Sequence, residues 1–157
     1  MGTFSHIVSL SDTMLNLKKL RHLCIRRKPI FYSTFRLPTN NLGNSAQLCN
    51  LDTFSDTILS SWENADKIVR KFPNIRKLKC SIELLESDYP ASGASDRILV
   101  LDFLSQLESL TLKAKGYVQC QCEFQFSSTI KKLTVSRFYF PWSKISAIKN
   151  LPNLEVL

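Results

Sequence analysis

Six short runs of apolar residues, most of them stepping by three, recur along this chain of 157 residues and constrain its fold more than any other feature. Leu17-Leu20-Leu23-Ile25 comes first, then Leu48-Leu51-Phe54, Phe72-Ile75-Leu78-Cys80 and Leu104-Leu107-Leu110-Leu112. Phe126-Ile130-Leu133-Val135 carries one extra residue at its start, and Leu151-Leu154-Leu157 closes the series. The second anchors, Leu20, Leu51, Ile75, Leu107, Ile130 and Leu154, lie 31, 24, 32, 23 and 24 residues apart. Several runs then close with a step of two, the period of a strand whose alternate side chains face one side.

Intervals of 23 and 24 residues fall within the period of leucine-rich repeats, about 20–29 residues. The two longer intervals imply insertions. One is Glu86 to Asp96, polar and holding Pro90 and Gly93; the other lies in Pro38 to Asn44. The expected fold is an open α/β solenoid of about six irregular repeats. Each turn contributes one parallel strand to the concave face and a short helix or loop to the convex face. Leu110 and Leu112 enter the core while Thr111 faces out. A fully buried Leu or Ile contributes about 1.5–3 kcal/mol, so three or four per turn hold a stack that no single repeat could hold. Three segments read as convex-side helices. Ser60-Ser61-Trp62-Glu63 is a capping box ahead of Ile68, Val69 and Phe72. Trp142-Ser143 opens a stretch with Ile145 and Ile148, and Asp96 precedes Ile98, Leu99, Leu101 and Leu104. Residues 1–14 read as an N-terminal remnant or cap, and 15–157 as the repeat domain. Because the last run stops in mid-repeat at Leu157, the isolated chain is expected to expose an apolar end and self-associate.

Composition narrows the class. Apolar residues make up 44%, enough for a core, and no apolar stretch is long enough to span a bilayer. The net charge of +8 is uneven: Thr13 to Leu51 holds seven basic residues and no acidic one until Asp52. Lys67 to Lys79 is a second basic run, and Glu83 to Glu108 is acidic, a segregation suited to steering a charged partner. The five cysteines, Cys24, Cys49, Cys80, Cys120 and Cys122, are odd in number and irregularly spaced, a poor disulfide framework. No N-glycosylation acceptor is present and the first residues are no secretory signal, so the chain reads as intracellular.

On such a repeat the binding surface is the concave sheet, at the strand positions that do not enter the core. These are His22, Cys24 and Arg26; Lys77, Lys79 and Ser81; Ser109, Thr111 and Lys113; and Lys132, Thr134 and Ser136. Five of the twelve are basic and none is acidic, which fits docking onto an acidic protein surface; the rival reading is that the charges only keep an exposed sheet soluble. The residues singled out for protein binding are His22, Arg26, Lys77, Lys79, Thr111, Lys113, Lys132 and Thr134. Nucleic acid is a weaker fit, because the aromatic groups Phe31-Tyr32 and Phe138-Tyr139-Phe140 fall where repeats need core filler. Cys120-Gln-Cys122 has no second pair or nearby histidine to complete a zinc site. Two histidines, no G-x-S-x-G elbow and no H-E-x-x-H leave no parts for an enzyme.

The phrases FPNIRKLKC, LDFLSQLESLTL and FSSTIKKLTVSRFYFPWSKISAIKNLPNLEVL resemble the C-terminal leucine-rich region of solanaceous late blight resistance proteins. The tract from Lys131 to Ser143 carries the most specific part of that resemblance, which runs from about Leu15 to Leu157. These are plant intracellular immune receptors with coiled-coil, NB-ARC and leucine-rich repeat parts. The resemblance implies a non-catalytic module for pathogen recognition and autoinhibition in the defence and hypersensitive responses. Its implied partners are the receptor's own NB-ARC region, a pathogen effector or a guarded host protein. ADP or ATP binding belongs to the NB-ARC region; the four glycines here are too far apart for a phosphate loop, so no cofactor is expected. The alternative is the leucine-rich adaptor part of an F-box type ubiquitin ligase, whose N-terminal helical box Met1 to Asn16 is too short to supply.

Overall fold

The computed structural model describes residues 7–9, 17–24, 34–36, 47–60, 65, 69–83, 97–115, 122–138 and 146–157. Nine strands run through them: β1 (Ile7–Ser9), β2 (His22–Cys24), β3 (Thr34–Arg36), β4 (Thr53–Ser60) and β5 (Lys77–Glu83). β6 (Arg97–Val100), β7 (Ser109–Lys115), β8 (Cys122–Gln125) and β9 (Lys132–Ser136) follow, then one helical turn, α1 (Ser146–Lys149). Among the described residues, seven strands form a parallel sheet ordered β1-β3-β4-β5-β7-β9, with β2 also paired to β4. A second parallel sheet holds β6 and β8.

The sheet register reproduces the sequence period. His22 pairs with Thr53, Thr53 with Lys77, Lys77 with Ser109, and Ser109 with Lys132, and an isolated bridge joins Lys132 to Val156. Those are the intervals of 31, 24, 32, 23 and 24 read from the anchors. One column of core side chains therefore runs Leu23, Phe54, Leu78, Leu110, Leu133 across neighbouring strands. A second runs Thr57, Cys80, Leu112, Val135, and a third Leu59, Ile82, Ala114. The core is built from these columns, from the anchors Leu51, Ile75, Leu107 and Ile130, and from Leu99 and Phe124 of the second sheet. Burial fades toward both ends of the series: Leu20, Leu23, Leu151 and Leu154 are only partly buried, and Leu17 and Leu157 are exposed.

The step of three has a backbone cause. Leu20, Leu51, Ile75, Leu107 and Ile130 each donate an amide hydrogen to the carbonyl three residues back. Bonds of that reach wind three residues per turn, so every third side chain falls on the same side. After each anchor comes a second recurring device. The carbonyl of Arg21 accepts from the amides of both Asp52 and Thr53, that of Asp52 from Arg76 and Lys77, and that of Arg76 from Glu108 and Ser109. Glu108 serves Lys131 and Lys132 in the same way, and Lys131 serves Glu155 and Val156. One shared carbonyl thus starts each of β4, β5, β7 and β9 beside the preceding run.

Two sequence expectations change. The segment expected to be helical from Asp96 is, in its described part, Arg97 to Leu104, no helix: it is strand β6 and a turn, with Leu99 buried and Ile98 exposed, the alternation of a strand. Its backbone groups are taken by β8, and Leu101 donates to Gln125 at 2.8 Å. The fifth run holds no extra residue either. Ser127 occupies the slot filled by Leu48, Phe72 and Leu104 elsewhere, buried to 2% exposure, with Ile130 donating to its carbonyl. Thr129 Oγ1 donates to the Leu107 carbonyl at 2.8 Å, so Ser127 Oγ is the donor to Thr129 Oγ1. Phe126 stacks on Phe124 instead, ring centroids 5.4 Å apart.

Helical backbone at Ala65 and Val69 and the turn at α1 fall within the other two segments expected to be helical. Both expected insertion loops, and Ile25, lie outside the described residues. Ile7–Ser9, within the segment taken as a remnant or cap, pairs with β3.

Candidate functional site

Strand alternation leaves one face of the large sheet free of the core columns, and its residues stand in rows. The first row is His22, Thr53, Lys77, Ser109, Lys132; the second is Cys24, Ser55, Lys79, Thr111, Thr134. A third runs Ile58, Ser81, Lys113, Ser136, with Ile58 buried at its β4 end. Each lysine has a serine or threonine beside it on the adjoining strand: Thr53 and Ser109 flank Lys77, Ser55 and Thr111 flank Lys79, and Ser81 and Ser136 flank Lys113. Like charges directly opposite one another in a sheet repel, and hydroxyl neighbours avoid this while keeping the face cationic.

His22, Lys77, Lys79, Lys113, Lys132 and Thr134 are exposed, and Thr111 is half-buried. Arg26 lies outside the described residues. Sequence periodicity therefore placed seven of the eight candidates on one face.

It missed Asp56. Uninterrupted alternation from Phe54 would turn Asp56 and then Ile58 toward the core, and an unpaired carboxylate there would be costly. A bulge between Ser55 and Thr57 removes the conflict, with Asp56 in the left-handed region at φ 61°. Asp tolerates that region better than most residues. The bulge turns Thr57 and Leu59 inward and delivers the Asp56 carboxylate to Lys79, 2.7 Å from its Nζ. The Cys24 thiol lies 3.5 Å from the other carboxylate oxygen. The hydrogen bond from Lys79 to Asp56, and then their charge attraction, raise the Lys79 pKa above its ordinary value. The bulge also explains why the second run lacks a closing step of two.

A depression of about 470 Å³ opens on this face over β4, β5 and β7, lined by Asp56, Thr57, Lys79, Cys80, Ser81, Thr111 and Lys113. A smaller one of about 220 Å³ lies between His22, Asp52, Thr53, Arg76, Lys77 and Glu108.

At the strand starts charges alternate in sign from run to run: Arg21, Asp52, Arg76, Glu108, Lys131, Glu155. Arg21 pairs with Asp52, and Arg76 Nη2 lies 2.8 Å from Glu108 Oε1. The hydrogen bond from Arg76 is the main cause that holds the Glu108 carboxyl below the usual range; desolvation opposes it, and the charges of Arg76, Lys131 and Lys77 add to the lowering. A row of amides accompanies this ladder. Asn50, Asn74 and Asn153, each just before an anchor, donate to the carbonyls of Lys18, Cys49 and Ser128 in the preceding run. The signal was present in the sequence as asparagine ahead of three anchors.

Cys120 lies outside the described residues, and among them no three His, Cys, Asp or Glu side chains gather as metal ligands. Phe138 packs edge-on against Phe124 at 5.3 Å, and the other aromatic residues of the two groups lie outside the described residues. No described helix is long and apolar enough to cross a membrane.

Comparison with known proteins gives one consistent result. The chain is 35% identical over 152 residues to late blight resistance protein homolog R1B-8 of Solanum demissum. It is 38% identical over 154 residues to homolog R1B-14 of the same species, and 42% over 103 residues to its late blight resistance protein R1-A. The chain is homologous to late blight resistance proteins. The three alignments cover 96%, 94% and 66% of this chain. The chain spans only 12%, 10% and 7% of those relatives' lengths. No protein-family model and no solved structure matches it.

Proposed function

We propose that this chain is a leucine-rich repeat segment of a plant disease resistance protein, an intracellular, non-catalytic module whose lysine-bearing sheet face docks an acidic protein surface. In this reading the parallel sheet is the inner wall of an open solenoid, and residues 15–157 form the repeat domain. The observation that carries it is the register: five strands and one bridge repeat at the spacing of the apolar runs, and bring Lys77, Lys79, Lys113 and Lys132 onto one face. Homology to late blight resistance proteins supplies the context of pathogen recognition and defence. It favours this reading over an F-box adaptor. The partner is the receptor's own NB-ARC region, held in restraint, or a protein derived from or guarded against the pathogen. Complementary charge across such a contact contributes more to encounter rate and specificity than to raw affinity.

The test is a Lys77→Glu, Lys79→Glu, Lys132→Glu triple variant in a full-length resistance protein carrying this segment. Loss of restraint, seen as cell death without pathogen, or loss of recognition is expected. Wild-type behaviour of the triple variant would remove the docking assignment.

A further inference from the structure

We propose that the depression over β4, β5 and β7 is a binding site for a phosphate monoester dianion, held by Lys79 and Lys113 with the hydroxyls of Ser81 and Thr111. The register sets four side chains in a square: Lys79 stands beside Thr111, and Ser81 beside Lys113. The two lysines therefore occupy one diagonal and the two hydroxyls the other. With strands about 4.8 Å apart and a two-residue advance of roughly 6.6 Å, the diagonal Cα separation is about 8 Å. Flexible lysine stems let two ammonium groups that far apart converge on one anion above the square.

The count of charges and donors selects the ligand. A carboxylate is neutralised by one cation and offers two oxygens. Two ammonium groups and two hydroxyl donors match a group with two negative charges and three acceptor oxygens, which is a phosphate monoester. The depression, about 470 Å³, is far larger than one phosphate, leaving room for the esterified body. Lys113 forms no ion pair among the described residues. Lys79 is held by Asp56 at 2.7 Å, so an incoming dianion competes with that carboxylate for one of its two cations. Asp56 is thereby a built-in competitor, set in place by the bulge. This inference stands on the registered residues and does not need the resistance-protein reading.

The experiment titrates the full 157-residue chain with inorganic phosphate, with a phosphoserine peptide, with the unphosphorylated peptide and with acetate, followed by calorimetry or amide chemical shifts. Saturable binding of phosphate and of the phosphopeptide is expected, at least tenfold tighter than acetate or the unphosphorylated peptide. Binding of phosphate without the phosphopeptide would identify a small phosphate ester as the source, and stronger binding of the phosphopeptide a modified partner protein. Lys113→Met should weaken both at least tenfold, whereas Asp56→Asn should tighten them several-fold by releasing Lys79. The opposite signs of these two surface changes separate a lost site from a damaged fold. No saturable phosphate binding, acetate equal to phosphate, unchanged affinity in Lys113→Met, or weakened affinity in Asp56→Asn would each overturn the proposal. Lys77 and Lys132 lie outside the depression, so reversing those two alone tests docking independently of it.

Discussion

Thr57 and Cys80 are neighbours in the second core column, and each shows how a polar atom behaves when tertiary packing closes over it. Thr57 is 2% exposed, and its Oγ1 has no hydrogen-bond partner among the described residues. A buried hydroxyl left without a partner costs about 1–3 kcal/mol, and a methyl of the same shape removes that cost. Thr57→Val should accordingly raise unfolding stability by about 1 kcal/mol, read from urea denaturation midpoints at unchanged slope. Burial pushes the Cys80 thiol up to about 12, since a thiolate there would lose its hydration. At a mildly alkaline pH Cys80 should resist a thiol reagent until the chain is unfolded, while exposed Cys24 and Cys49 label at once. Mass mapping of the labelled peptides checks this; rapid native labelling of Cys80 would contradict its burial.

At the level of the strand, β2, β4, β5, β7 and β9 are linked in turn by shared carbonyls at their starts, with an asparagine or threonine donor in several runs and a charge pair in two. The Arg76–Glu108 pair lies at the surface, where screening keeps such pairs weak, so its signature is a pH dependence and not a large increment. Because the Glu108 carboxyl is held below its ordinary value of 4.5, the unfolded chain binds its proton first as pH falls. The contribution is present above that value and is lost as pH drops through the folded-state pKa. Glu108→Gln should thus lie below wild type in stability at neutral pH and approach it in strong acid, measured as parallel denaturation series. A gap that stays constant down to acid pH would show that the ion pair contributes nothing.

At the scale of the whole molecule, burial among the described residues is greatest in the middle of the series of runs. Leu110 is 1% exposed, between Leu78 and Leu133, whereas Leu154 is only partly buried. Leu110→Ala should cost about 2–5 kcal/mol, because little can relax to fill the space between two neighbouring runs. Leu154→Ala should cost distinctly less. Equal losses at both sites, by the same denaturation assay, would argue against a core graded along the series. The solenoid reading in turn predicts that central runs protect their amides from exchange longest and terminal runs least.

Much of this was legible in one dimension. Apolar anchors at 31, 24, 32, 23 and 24 residues define the strand register, because a stacked run must repeat its inward side chains or expose them. Hence Leu23, Leu78, Leu110 and Leu133 form a column, and seven of the eight candidate surface residues share a face. Three features needed the third dimension. Ile98-Leu99 suits a helix or a strand by pattern, and only β8, 25 residues along the chain by register, supplies the partner that makes it a strand. Ser127 can replace a leucine only because Thr129 and the Leu107 carbonyl complete its hydrogen bonding. Asp56 reaches Lys79 only because a bulge ejects it from a core that no periodic pattern describes. Local spacing determines which side chains face inward; which polar groups meet across strands depends on pairing between distant segments, and that was decided by the tertiary structure.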